Sequence, residues 1–300
     1  MVSVNAVTVK VPASAANLGP GFDCLGLALD IWNQVSFRLT DSGVSITIEG
    51  EGVEELPLDY SNLILRAAER LFEKEGKKFP KGIEIECRNH VPVSSGLGSS
   101  SAAVIAGLLG AKKMLNSTIS NQDMLELAVE FEGHADNVAA CLLGGLVIAT
   151  SSTNGWIAEK IPIQPLHLVV VLPNVNLSTR QARAALPQTV NYHDAVSNLA
   201  NTALLVHALR EGRKDLLYSA MQDSLHQPYR LSLIPGAEQA IHAAYDAGAY
   251  GAALSGAGPS LFAFGDEKLE KIGEAMQAEF EKIHIPSRIF QTCSSLEGAH

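Results

Sequence analysis

PVSSGLGSSSAA, residues 92–103, is the stretch from which the rest of the chain is best read. Before it, Ile83-Glu84-Ile85-Glu86-Cys87-Arg88 alternates with the period of two that predicts a half-buried strand. After it, an alanine-rich run predicts a buried helix beginning near Ser100. The first N–H groups of a helix lack intrahelical partners, and the helix dipole is positive at that end. Glycines just ahead of the helix let backbone approach an anion closely, and Ser99, Ser100 and Ser101 add hydroxyl donors. The stretch therefore reads as a phosphate cradle without a lysine. It contains neither GxxxxGK[ST] nor GxGxxG, since position 101 is serine. A flexible linker leading into a buried helix has the same composition, and the loop alone does not separate the two readings.

Working outward, Ile31 to Leu39 and Val44 to Glu49 also alternate as strands. A helix is expected over Asn62–Glu75 with Ser61 as its cap, and another over Asn121–Glu132, where Ser120 and Asp123 form a capping-box pattern. Leu146–Thr150 reads as a strand and SSTNGW (151–156) as a turn. Beyond it, strands are predicted at 167–172, near Ala252, at 261–264 and at 287–292. Helices are predicted at 178–186, 191–211, 213–222, 236–247 and 267–281. This is an α+β chain, divided into two domains at 1–157 and 158–300.

Hydrophobic residues make up 47% of the chain and charged residues 18%, enough apolar content for real cores. A net charge of −10 disfavours nucleic-acid and anionic-membrane partners. The longest apolar runs, 102–111 and 138–149, are too short to span a bilayer. The four cysteines form no CxxC pair, and MVSVNAVTVK does not read as a signal peptide. A reduced, cytoplasmic protein is expected.

Two further patterns bear on chemistry. Asp123, Glu126 and Glu130 share one face of their predicted helix with no lysine among them, which suits a solvated acidic face or a divalent-cation site. Arg183 in LSTRQARAALP and Arg230 in QPYRLSLIPG suit bidentate capture of a carboxylate, with Arg180 a competitor for the first role. Asp23 in the GPGFD turn suits an ammonium, while Asn17 and Thr179 offer neutral hydrogen bonds. Asn17 and Asp23 equally suit bracing a Gly-rich turn, and both arginines suit an exposed surface.

The PxxxGLGSSxA pattern at 92–103 resembles the phosphate motif of the GHMP family of small-molecule kinases. VPASAANLGPGFDCLGLALD (11–30) and ALSGAGPSLFAF (253–264) resemble the first and third motifs of that family, the first in the form found where homoserine is the acceptor. The resemblance implies an N-terminal ribosomal-protein-like βαβ domain with a left-handed crossover and a C-terminal ferredoxin-like domain. It implies ATP-dependent phosphorylation of the side-chain hydroxyl of L-homoserine, in threonine biosynthesis, by a homodimer. Pro92, Val93, Ser94, Ser95, Gly96, Leu97, Gly98, Ser99, Ser100, Ser101 and Ala102 would hold ATP, and Asn62 would meet adenine. Mg2+ would lie between Ser100 and Glu126. Asn17, Asp23, His134, Thr179, Arg183 and Arg230 would hold homoserine, and Asn17, Asp23, His134 and Asn137 would serve catalysis. Relatives with an aspartate base pair it with a first-motif lysine, whereas no lysine lies between Lys10 and Lys74 here. Asn137 cannot accept a proton, and His134 is the nearby group suited to proton work or to packing at a helix start. The final proton acceptor stays open. The weighed alternatives are another GHMP kinase, opposed by the first motif, and a non-catalytic ligand sensor, opposed by an intact Ser100–Glu126 pair.

Overall fold

The computed structural model describes residues 6–300. Strand β1 (Val7–Asn17) turns tightly into the 20-residue strand β2 (Gly21–Thr40), followed by β3 (Gly43–Gly50), helix α1 (Leu63–Lys74) and β4 (Gly82–Asn89). Helices α2 (Ser99–Leu115), α3 (Asn121–Glu132) and α4 (Asp136–Leu143) come next, then the hairpin β5 (Leu146–Ser152) and β6 (Gly155–Ile161). These strands form a six-stranded sheet ordered β3-β4-β2-β5-β6, with β1 also paired to β2. The β3-β4 pair is parallel and bridged by α1; the others are antiparallel.

The second sheet takes β7 (His167–Pro173), then helices α5 (Thr179–Ala184), α6 (Tyr192–Glu211), α7 (Lys214–Ala220), α8 (Gln227–Leu231) and α9 (Ala237–Asp246). It closes with β8 (Gly251–Leu254), β9 (Leu261–Phe264), α10 (Leu269–Glu281) and β10 (Ser287–Cys293). Its order, β10-β7-β9-β8, is antiparallel throughout and is that of a ferredoxin-like β-α-β-β-α-β unit.

Three apolar clusters stack through the molecule: α1 to α4 on one face of the first sheet, the space between the sheets with α6 and α7, and α9 and α10 under the second sheet. Val9 and Val11 face the first cluster, whereas Ala13 and Ala15, of the same parity, face the second. A strict strand alternation forbids this, so β1 must change face between them. The register shift at Pro12/Ala13, where Asp30 and Ile31 of β2 are left without partners in β1, marks the change. That shift turns the end of β1 toward the second domain.

Two expectations change. SSTNGW is not a bare turn: Gly155 and Trp156 already belong to β6, which pairs with β5 through Ile161, so the first sheet extends past residue 157. The division at 157/158 would cut that hairpin. The chain's end also returns to the first sheet, where Lys10 N–H donates to His300 O at 2.8 Å and Ser295 N–H to Ala28 O at 2.9 Å. Helix α1 is capped by Asn62 rather than Ser61, whose hydroxyl is held by Asp59.

Candidate active site

A cavity of about 560 Å³ lies where the β1–β2 turn, the 93–102 loop, α5, α8 and the β8–β9 turn meet. One end is built from backbone. Side chains cap α1, α3, α5 and α6, but α2 starts from Gly98 with no side-chain cap. Its first N–H groups therefore remain available to an anion. The loop ahead of it is fixed from both domains. Ser14 N–H donates to Leu97 O at 3.0 Å, Ser260 N–H to Ser95 O at 3.0 Å, and the Ser255 hydroxyl to Gly96 O at 2.8 Å. Gly96 has φ +82°, and a Cβ there would run into the Ser255 carbonyl, so glycine is required both by conformation and by close approach. Of the predicted stretch, Pro92 and Leu97 do not line the cavity; Leu97 is buried in the inter-sheet core, and Pro92 accepts a hydrogen bond from the Ser95 hydroxyl.

The other end is built from side chains. Arg183, from α5, donates to both carboxylate oxygens of Asp23 at 2.8 and 2.9 Å. This pair is open to water, with side-chain exposures of 40% and 38%. Arg230, from α8, is 2% exposed. Among the described residues it donates only to two carbonyls, Ala182 O at 3.3 Å and Gly256 O at 3.1 Å, and has no carboxylate at ion-pair distance. Burial pulls its pKa down, and the nearby Arg183 charge adds to the effect. An unpaired buried guanidinium facing a cavity is a site for an anion.

Between the two ends, the Ser14 hydroxyl donates to Asn137 Oδ1 at 2.9 Å, which leaves Asn137 Nδ2 as the free end of that amide. His134 Nδ1 lies 2.7 Å from Asp136 Oδ1, and the same oxygen accepts from Asn137 N–H at 2.8 Å. Burial alone would lower the His134 pKa. The hydrogen bond and charge of Asp136, helped by Glu132, more than offset it, and the net direction is upward.

Comparison with known proteins fits this geometry. The GHMP kinases N terminal domain matches residues 62–145, and the GHMP kinases C terminal domain matches residues 205–282. Homoserine kinase of Microchaete diplosiphon is 40% identical over 299 residues, 99% of this chain and 97% of that protein. The chain belongs to the GHMP kinases. Homoserine kinase of Clostridium beijerinckii is 42% identical over 92% of each chain. The crystal structure of homoserine kinase from Cytophaga hutchinsonii superposes with a TM-score of 0.89 at 36% identity, covering 100% of this chain and 98% of that one. The fold extends to L. major mevalonate kinase, at TM-score 0.71 and 16% identity.

In this GHMP kinase one expectation must be corrected. Glu126 does not face Ser100. Its carboxylate accepts from Trp156 N–H at 2.6 Å and from Gln122 Nε2 at 3.1 Å, holding the β5–β6 hairpin. The rest of that acidic face is engaged as well: Asp123 pairs with the Ser120 cap, and Glu130 binds Arg70 Nε at 2.8 Å. The carboxylate at the loop is Glu132, which accepts from the Ser100 hydroxyl and, at 2.9 Å, from the Ser101 hydroxyl. Six residues beyond Glu126, at 100° per residue, Glu132 projects from a different face of α3. The signal that could have found it is its place at the end of α3, just ahead of Gly133 and His134, where the helix opens onto the cavity.

Other predicted residues are also placed by the fold. Asn17, with φ +71°, donates from Nδ2 to Gly256 O at 2.7 Å and accepts from Asp23 N–H at 3.0 Å, so it braces the turn as well as lining the cavity. Thr179 lines the cavity, while Arg180 is exposed and does not, which leaves Arg183 as the α5 cation at the site. Asn62 lines the far wall with its oxygen capping Ile64 N–H at 3.0 Å and its nitrogen donating to Pro57 O at 2.7 Å. Sequence reasoning missed Asp136 and Glu132, which line the cavity, and Ser14, which holds Asn137 from behind it.

Proposed function

We propose that this chain transfers the γ-phosphoryl group of ATP to the side-chain hydroxyl of L-homoserine, giving O-phospho-L-homoserine on the way to threonine. One observation carries the reading within the family: Arg230 is a buried cation without a counter-ion, on the wall of the cavity that also receives the uncapped start of α2. An amino-acid carboxylate supplies the missing charge. The Asp23–Arg183 pair offers a second point of attachment. An ion pair this exposed contributes only about 0–1 kcal/mol, so a zwitterion can replace it at little cost. Asp23 then takes the ammonium, and Arg183 joins Arg230 on the carboxylate, with Asn17 and Thr179 as neutral contacts.

ATP would lay its phosphates along Gly96–Ser101, with its base toward Asn62. Ser100 and Glu132 are hard oxygen donors already joined at the cavity wall, and they suit Mg2+ as ligands in the place first expected of Ser100 and Glu126. Bound there, Mg2+ would neutralise charge on the triphosphate, work that a loop lysine does elsewhere. A loose phosphoryl transition state depends on positioning and charge more than on early proton removal. Asn137 fits that demand: with its oxygen held by Ser14, its free N–H groups orient the acceptor or stabilise phosphoryl oxygens. His134, held 2.7 Å from Asp136, is the nearby group suited to proton work. The reading extends to a cytoplasmic homodimer, supported by the family resemblance and, for the compartment, by four free cysteines.

The test is ADP release measured against homoserine, mevalonate, galactose and shikimate. Homoserine should exceed the others in kcat/KM by about 100-fold or more. Mevalonate or galactose as the best substrate would defeat the proposal.

A further inference from the structure

Phe22 stands in the β1–β2 turn beside Asp23, yet it is not part of the cavity wall. Its ring is the shared neighbour of both arginines. The Arg230 guanidinium carbon lies 4.8 Å from the ring centroid, and that of Arg183 lies 5.9 Å away. The His226 imidazole stacks on the same ring at 5.0 Å between centroids and 21° between planes.

Two guanidinium groups converging on one small space repel each other, and the lowered Arg230 pKa reflects this in part. An aromatic face offers electron density to a cation without occupying its hydrogen-bond donors. Arg230 can therefore be held close to Arg183 with N–H groups left over for a ligand. A carboxylate platform could not do this, because it would consume those donors.

His226 makes the ring a fixed support. It is fully buried, and its Nε2 lies 2.8 Å from Gly19 O in the same turn. With the proton on Nε2 for that bond, Nδ1 is left without a partner. Asp223 lies 3.6 Å from Nε2, but it also accepts from the backbone N–H groups of His226 and Gln227. Burial pulls the His226 pKa down, in keeping with a neutral imidazole stacked against Phe22. Asn198 and Thr202 pin the turn from α6 by donating to Pro20 O at 2.7 and 2.9 Å.

We propose that Phe22, braced by His226, is a positioning residue that sets selectivity for acceptors bearing a carboxylate, by holding Arg183 and Arg230 at one fixed separation. The inference rests on the homoserine reading above. It is tested with two acceptors that differ only in that group, homoserine and 3-aminopropan-1-ol. Phe22→Leu keeps an apolar side chain and removes the π face. It should raise the KM for homoserine about tenfold and leave the KM for ATP and the kcat/KM for 3-aminopropan-1-ol within about twofold. Phe22→Tyr, which retains the ring, should restore the homoserine KM. His226→Leu, which loosens the support without removing the ring, should give a smaller rise confined to homoserine. Equal losses on both acceptors in Phe22→Leu, or a Tyr variant no better than Leu, would overturn the proposal. If Phe22→Leu does not fold, unchanged selectivity in His226→Leu overturns it and a homoserine-specific rise supports it. Wild-type protein inactive on homoserine would defeat the functional reading itself, before any variant is compared.

Discussion

The two ends of the cavity hold charge by different means. At the α2 end the groups offered to an anion are backbone N–H and hydroxyls, set by Gly96, Gly98 and the serines and fixed by hydrogen bonds from both domains. At the α5–α8 end they are full charges on long side chains, drawn from segments about 160 residues apart in the case of Asp23 and Arg183. The first end is rigid because backbone is already ordered by the fold. The second must be ordered by packing, and its members differ sharply: Arg183 is exposed and paired, while Arg230 is buried and unpaired. On the proposed reading, one cavity offers a polyphosphate preorganised dipoles and a small zwitterion charges that await it.

The largest expected effect tests the phosphate end. Glu132→Gln should lower kcat by about 100-fold or more and shift the Mg2+ dependence to higher concentration. Glu126→Gln should leave turnover within about twofold while lowering stability by roughly 1–2 kcal/mol, because Trp156 N–H loses a charged acceptor. Kinetics and chemical denaturation of the two variants measure this directly, and the reverse pattern would restore Glu126 to the site.

Next comes the zwitterion end. Arg230→Leu should raise the KM for homoserine about 30-fold or more and leave the KM for ATP nearly unchanged, following the ~2–5 kcal/mol typical of truncating one half of a buried charge pair. Equal loss of ATP affinity would erase the division between the two ends.

A smaller effect tests the middle. Ser14→Ala releases the Asn137 amide, at about the value of one buried hydrogen bond, so kcat should fall about fivefold with both KM values little changed. A large rise in the KM for ATP would instead make Ser14 a loop brace.

The smallest effect concerns His134. Its folded-state pKa is raised, so its pairing with Asp136 adds stability that is fully present below the unfolded value and is lost as pH rises through the folded one. The Tm gap between wild type and His134→Asn should therefore be wider at pH 5.5 than at pH 8.5. A gap that widens toward alkaline pH would contradict the assignment.

Much of this was legible without coordinates. The ladder of short alternating strands, the boundaries of five of the six helices in the second half (α8, which carries Arg230, being the exception) and the cradle before α2 follow from local patterns of one to two turns or pairs. Those patterns reflect burial on one face and capping at one end, both short-range properties. Strand β6 was missed because Gly155-Trp156 follows the polar turn Ser151-Ser152-Thr153-Asn154 and its residues alternate weakly, with pairing to β5 deciding the matter. The carboxylate at the loop was misplaced because spacing shows which carboxylates share a helix face but not what that face meets. Asp123, Glu126 and Glu130 met a cap, a hairpin and Arg70.

Sequence alone determined the chemistry on offer: a glycine-led helix start, two arginines and an aspartate suited to a zwitterion, and a family with those motifs in order. Only the tertiary structure decided which carboxylate reaches the loop, which arginine lies buried and which is paired, and which ring the two share. Covalent order fixes the functional groups and their local conformation. Their solvation and partners arise from contacts between distant segments, and those contacts set whether a given charge is spent on structure or left for a ligand.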